Sequence, residues 1–134
     1  MKWTKAEKRF VRPSRVARLA TSDRNGRLYS VPICPLLDGD RLYFGSEADA
    51  KKVRNIKANP GVTLVFDEYT EDWAHLRGIM IQGKARVVTA REFRSLRRKI
   101  YAKYLQFEAE APLENKDSAI IEVNPERKFS WGLD

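Results

Sequence analysis

The sequence predicts a mainly β protein, a six-stranded antiparallel barrel with short flanking helices, and three observations point to it. Turn signals recur at close spacing, at Asn25-Gly26, Asp38-Gly39-Asp40 and Asn59-Pro60-Gly61. The runs between them are short and apolar. The longest, 77–89, alternates: Ile79, Ile81, Gly83, Ala85 and Val87 lie on one face and Met80, Gln82, Lys84 and Arg86 on the other. Helical spacing is confined to three brief stretches. At 134 residues with 43% hydrophobic content, the chain has enough apolar surface for one core, so residues 1–134 form a single domain.

Taken in order, Thr4 and Glu7 are spaced as a capping box, which starts a helix over 5–11 that Pro13 ends. Residues 16–21 read as the first strand. Asn25-Gly26 turns the chain back, and 27–37 read as the second. Pro32 and Pro35 each remove a ladder donor from it, so it belongs at an edge, at a bulge or against a ligand, not in the centre. The third strand is 41–44. Gly45 and Ser46 then make a small-residue turn into a short helix carrying Lys51 and Lys52. Its inward positions are Ala50, Val53 and Ile56, Ser46 and Asp49 are spaced as its capping pair, and Pro60 forbids its continuation.

Residues 62–66 are the fourth strand. The acidic loop 67–73 lacks the alternating ligands and central glycine of a calcium loop and reads as solvated, with Tyr69 and Trp73 covering part of a pocket. After the fifth strand, Thr89 and Glu92 form a second capping box, opening a helix whose stripe is Phe93, Leu96, Ile100 and Tyr104. The opposite face, with Arg91, Arg94, Arg98 and Lys99, reads as solvated. Residues 105–116 are a polar linker outside the core and 119–123 the sixth strand. Asn124-Pro125 reads as a turn and 128–133 as an extended tail bearing Trp131.

One cysteine excludes an internal disulfide, and one histidine leaves no zinc-site spacing. Cys34, in an apolar strand, reads as a buried inert thiol, and His75 as a loop residue. No apolar run approaches the roughly 20 residues that span a bilayer, and 1–12 are too charged for a signal peptide; this predicts a cytoplasmic protein off the membrane. The net charge of +8 admits nucleic acid as a partner, but equally suits a protein holding a phosphorylated cofactor and an anionic substrate. No nucleophile elbow, Walker loop, dinucleotide fingerprint or carboxylate pair is present. If the chain is an enzyme, a cofactor carries the reaction.

Residues 42–67 are the best candidate site. A strand that ends in small residues and feeds a helix start flanked by lysines offers free N–H groups and a helix dipole to an anion. A solvated face on a connecting helix is the other reading of Lys51 and Lys52. The run F-G-S, the two lysines, Ile56 and Asn59-Pro60, with RVARLAT at 15–21, SVPICP at 30–35, IMIQGKARV at 79–87 and FSWGL at 129–133, resembles the pyridoxamine 5'-phosphate oxidase-like flavin-binding split-barrel family. The similarity covers nearly the whole chain. The D-E-x-x-E-D-W loop at 67–73 resembles the small members that use the deazaflavin F420.

That resemblance implies a Greek-key split barrel and a homodimer that holds FMN, or F420, at its twofold interface. It implies that the main chain of Ser30, Val31, Pro32 and Ile33 runs along the isoalloxazine ring, with Gly45 and Ser46 beside the cofactor. Lys51 and Lys52 match the basic pair on the ribityl phosphate. Arg77 and Gly78 fall where the family often has Arg-Gln facing the ring; the glycine removes a side-chain hydrogen bond there. Trp131 matches a tail aromatic that reaches the cofactor of the partner subunit. The implied function is a flavin-dependent oxidoreductase moving hydride to or from a small molecule. Two other classes stand beside it: a flavin or haem carrier without turnover, and a basic nucleic-acid-binding barrel.

Overall fold

In the computed structural model, which describes residues 1–134, the chain runs α1 (Lys5–Val11), β1 (Ala17–Ser22), β2 (Leu28–Ile33), β3 (Leu36–Asp38), β4 (Arg41–Glu47) and α2 (Lys51–Ala58). It continues through β5 (Gly61–Glu68), a 3-10 turn (Trp73–His75), β6 (Arg77–Val87), α3 (Ala90–Lys103), α4 (Gln106–Glu110) and β7 (Ser118–Trp131). Seven strands form one curled antiparallel sheet in the order β2-β1-β5-β6-β7-β4-β3, mainly β with few helices, as the sequence predicts. No helix is long and apolar enough to cross a membrane.

The count is seven, not six, because the expected strand 27–37 breaks at Cys34-Pro35. Its first part pairs with β1, Ile33 opposite Ala17. Its second part pairs with β4 at the far edge of the sheet, Leu36 opposite Tyr43. A proline without an N–H is well placed at this corner, since neither ladder needs a donor from it. The two edges of the sheet are thus joined by chain, not by hydrogen bonds.

Alternation along β6 fills the barrel with Ile79, Ile81 and Ala85, which meet Leu19, Phe44, Val53, Leu64 and Phe66. On the outside of β4 and β7, the predicted stripe of α3 buries Phe93, Leu96, Ile100 and Tyr104 against Tyr43, Val88 and Ile120. Both predicted capping boxes are present, Thr4 with Glu7 and Thr89 with Glu92. A carboxylate also lies under α3: Glu122, 4% exposed, accepts from Arg41 Nη1 at 2.8 Å, Arg86 Nε at 3.0 Å and the Tyr43 hydroxyl at 3.1 Å. Its pKa is lowered, the hydrogen bonds from Arg86 and Tyr43 outweighing burial, which acts to raise it.

Several local expectations are corrected. Gly45 and Ser46 are not a turn but lie inside β4, opposite Ile120 and Ala119. The cap of α2 is Ala50 without any side-chain hydrogen bond, so Ser46 and Asp49 do not cap it. Residues 105–116 are not a bare linker: they contain α4, and Leu113 is buried against the α3 cluster. Its side chain lies 2.7 Å from where a Cβ on Gly45 would be, so any side chain there would require Leu113 to shift. Asn124-Pro125 is not a turn either. β7 runs on to Trp131, and the ladder register shifts between Gln82 and Gly83, a bulge that leaves Glu126 unpaired beside Pro125. A Cβ on Gly83 would overlap the Asn124 carbonyl. Cys34, expected to be buried, is exposed.

Candidate functional site

The candidate residues fall into three groups. Ser30, Val31, Pro32 and Ile33 lie on β2, whose only strand partner is β1: Ser30 faces Ala20 and Pro32 faces Arg18. The other side of β2 carries an unpaired ladder edge, which is where a proline is tolerated and where backbone groups remain free for a ligand. Ser30 and Pro32 are exposed and Ile33 is buried.

Lys51 and Lys52 open α2. Because Ala50 offers no cap, the first N–H groups of that helix have no side-chain acceptor. Neither lysine takes part in an ion pair. The helix is fixed on β1 by Asn55 Nδ2 donating to the Thr21 hydroxyl at 3.0 Å and Asn59 Nδ2 to Ser22 Oγ at 2.7 Å. This brings Lys51 to the β1–β2 hairpin. There Asp23, bonded by the Arg27 and Asn25 N–H groups, has a lowered pKa, chiefly from the Arg27 N–H, with the charges of Lys51 and Arg27 adding to it. Lys51 thus stands by the hairpin that leads into β2, while Ser30 to Ile33 lie further along that strand. Gly45 and Ser46 approach α2 through the link 47–50 and line a separate groove of about 500 Å³ with Leu113, Phe107 and Asp117.

Arg77, Gly78 and Trp131 form the third group, on neighbouring strands. Gly78 pairs with Asp67 on one side and Trp131 on the other. A Cβ on Gly78 would overlap the Trp131 ring, so the indole lies directly over the glycine of its own chain. Arg77 is engaged, donating to both oxygens of Glu68 at 3.1 and 3.0 Å and lying over the Phe10 ring at 5.1 Å. Pro32, Arg18 and Val65 are in register across β2, β1 and β5, Val65 faces Met80 on β6, and Met80 faces Phe129 on β7. Four strand spacings thus separate β2 from the strand bearing Trp131, about 19 Å along the sheet. Within one chain, Trp131 does not meet Ser30 to Ile33.

Tyr69 and Trp73, expected to cover part of a pocket, are exposed, joined by Trp73 Nε1 donating to the Tyr69 hydroxyl at 3.2 Å. His75 is an exposed loop residue, Nδ1 2.6 Å from Asp72 Oδ2. The proximity of two further residues gave no signal in sequence: Arg15 and Cys34 line one groove with Tyr104 and Phe107, through contacts between segments far apart in the chain. Only the apolar spacing of Tyr104 hinted that the end of α3 faces inward.

The model of the family described as pyridoxamine 5'-phosphate oxidase matches residues 3–132. No curated protein matches the sequence. Among solved structures, an F420 reductase superposes with a TM-score of 0.75 at 24% identity, over 96% of this chain and 98% of that one. A heme binding protein from Mycobacterium smegmatis gives 0.80 at 15% identity, over 98% of this chain and 55% of that one. HutZ, the heme storage protein from Vibrio cholerae, gives 0.74 at 16%, over 86% of this chain and 84% of that one. At such identities these structures share the fold.

Proposed function

The chain belongs to the pyridoxamine 5'-phosphate oxidase family, and from that premise we propose a cytoplasmic, homodimeric flavin-dependent oxidoreductase that binds FMN, or alternatively F420, and acts on a small molecule. The observation that carries this reading is an uncapped helix start bearing two cations that make no ion pair, beside the hairpin that leads into the free-edged strand β2. The donor set fits a phosphate: Lys51 and Lys52 supply point charge and the first N–H groups of α2 supply directional bonds. The main chain of Ser30 to Ile33 would hold the flat ring by backbone hydrogen bonds. When bound, such a ring supplies hydride transfer, which no side chain of this protein can perform. What the chain contributes is binding, orientation and exclusion of water.

The separation between β2 and Trp131 supports an intersubunit arrangement. A twofold partner brings its own Trp131 to a β2 edge that the first chain's indole does not reach. Exposed Leu28 and Phe129 on the same outer face supply apolar surface for that contact. A carrier without turnover is the second reading, supported by the two heme-binding structures of the same fold. A haem would find only His75 as a histidine ligand, on an exposed loop and already beside Asp72.

Titration of FMN and of F420 into Lys51→Ala/Lys52→Ala tests the proposal. Each hydrogen bond to a charged group contributes about 1.5 to 3 kcal/mol, so the double variant should bind roughly 2 to 4 kcal/mol more weakly after allowance for non-additivity. Folding should change little, since neither lysine is paired. Unchanged affinity removes the phosphate site. Mass spectrometry of the molecule that co-purifies distinguishes FMN, F420 and haem, and steady oxidation of added reduced cofactor separates an enzyme from a carrier.

A further inference from the structure

A groove of about 330 Å³ opens on the side of the barrel, lined by Arg15, Cys34, Tyr104, Gln106, Phe107, Glu110 and Ala111. Its volume is at the small end of the range for ligand pockets. Phe107 is its half-exposed aromatic wall, backed by the buried Tyr104, which it meets edge to face with centroids 5.9 Å apart. The Arg15 guanidinium lies 4.8 Å from the Tyr104 centroid, and its Nη2 donates to the Lys103 carbonyl at 3.2 Å. Arg15 has no carboxylate partner, so the rest of its donor fork is unspent.

The groove is built, not incidental. Lys103 Nζ donates to the carbonyls of Ser14 and Pro35, each at 2.7 Å, and the Tyr104 hydroxyl donates to Pro35 O at 2.6 Å. Those two carbonyls belong to the residues next to Arg15 and Cys34. One helix end therefore fixes both the cation and the thiol over the ring of Tyr104.

We propose that this groove binds a small planar aromatic monocarboxylate, its ring against Phe107 and its carboxylate on Arg15. A guanidinium fork matches a carboxylate bidentately, and an aromatic body matches the wall. Glu110 at the rim, itself without a cation partner, opposes a second negative charge and so selects against dianions.

Cys34, the chain's single cysteine, is its own reporter. The purified protein is alkylated with iodoacetamide, an uncharged reagent, and the rate is followed by intact mass against increasing 2-naphthoate or 2-naphthalenemethanol. The acid should slow alkylation saturably, and the alcohol of the same shape should need about tenfold more, the value of one hydrogen bond to a charged group. Arg15→Gln should raise the midpoint for 2-naphthoate about tenfold while leaving that for the alcohol in place. Equal protection by acid and alcohol, no saturable protection by the acid, or an unmoved midpoint in a folded Arg15→Gln variant overturns the proposal. If that variant does not fold, the comparison of acid and alcohol on the wild type decides alone.

Discussion

Lys103 carries a pH dependence opposite in sign to that of a surface lysine gaining a carboxylate. Its half-buried ammonium is held on two carbonyls, and burial, followed by the positive charge of Arg15, lowers its pKa from 10.5 to about 8, against a smaller opposing effect from Cys34. Between those two values the unfolded chain binds more protons than the folded one, so stability rises as pH rises through the window. Integrated from about pH 7 to about pH 9.5, a folded value near 8 contributes about 2 kcal/mol, cut to about 1 by water reaching the half-open side chain. Staying below about pH 10 matters, because burial raises the pKa of Tyr104, and stability then falls once unfolded tyrosine ionises. Lys103→Met keeps the apolar stem and removes the charge. Urea unfolding of both proteins, at one fixed protein concentration, should show the wild type gaining about 1 kcal/mol on the variant across the window. A difference that stays flat, or moves the other way, refutes the reasoning.

Glu122→Gln leaves Arg86 and Arg41 without their buried acceptor. Because the side chains of these cations are 44% and 47% exposed and can turn to water, the cost at neutral pH should fall below the roughly 3 to 5 kcal/mol of a fully buried broken pair, at about 2 kcal/mol by urea unfolding. Glu122 and Glu92 both have lowered pKa values, Glu92 about 2, so their contribution is present above the ordinary carboxylate value and is lost as pH falls toward 2. The acid limb of the stability curve should be shallower in the Gln variant; an identical limb would remove Glu122 from this account. Gly78→Ala puts a methyl into the Trp131 ring and 2.7 Å from the Phe66 carbonyl, and should cost about 1 to 3 kcal/mol with a shift in tryptophan emission. Normal stability and emission would show that Trp131 does not rest on the glycine.

What the sequence made legible was local or periodic. Thr4 with Glu7 and Thr89 with Glu92 satisfy donors within one turn, so their spacing is enough to read them. The alternation of Ile79, Ile81 and Ala85 shows which face of β6 is core, whatever the partner strands. The resemblance implied a split barrel, without its strand order. What failed depended on contacts distant in sequence. Gly45 resembles a turn glycine, yet its lack of a side chain serves Leu113, 68 residues on in the chain numbering. Pro125 reads as a turn until the bulge at Gly83 gives it a place in a strand. Cys34 sits in an apolar run that implies burial, but the corner it shares with Pro35 turns it outward. The corner exists because Lys103 and Tyr104 hold the Pro35 carbonyl, which no local pattern near residue 35 records. For the candidate cofactor site, Lys51 and Lys52 could be placed on a helix start, whereas the missing cap at Ala50 and the engagement of Arg77 by Glu68 emerge only in three dimensions.

The strand order has a consequence for how the protein is made. β4 pairs only with β3 and β7, so the β3–β4 hairpin has no attachment to the rest of the sheet until β7 is in place. On the ribosome, β1, β2, β5 and β6 can zip together as they emerge, while β3 and β4 wait with a hydrophobic face that includes Leu42 and Phe44. The strand that unites the two pieces is synthesised after all the others. Completion of the barrel therefore waits on a single late insertion of β7 between β6 and β4, and the waiting hairpin is the segment a chaperone would have to shield.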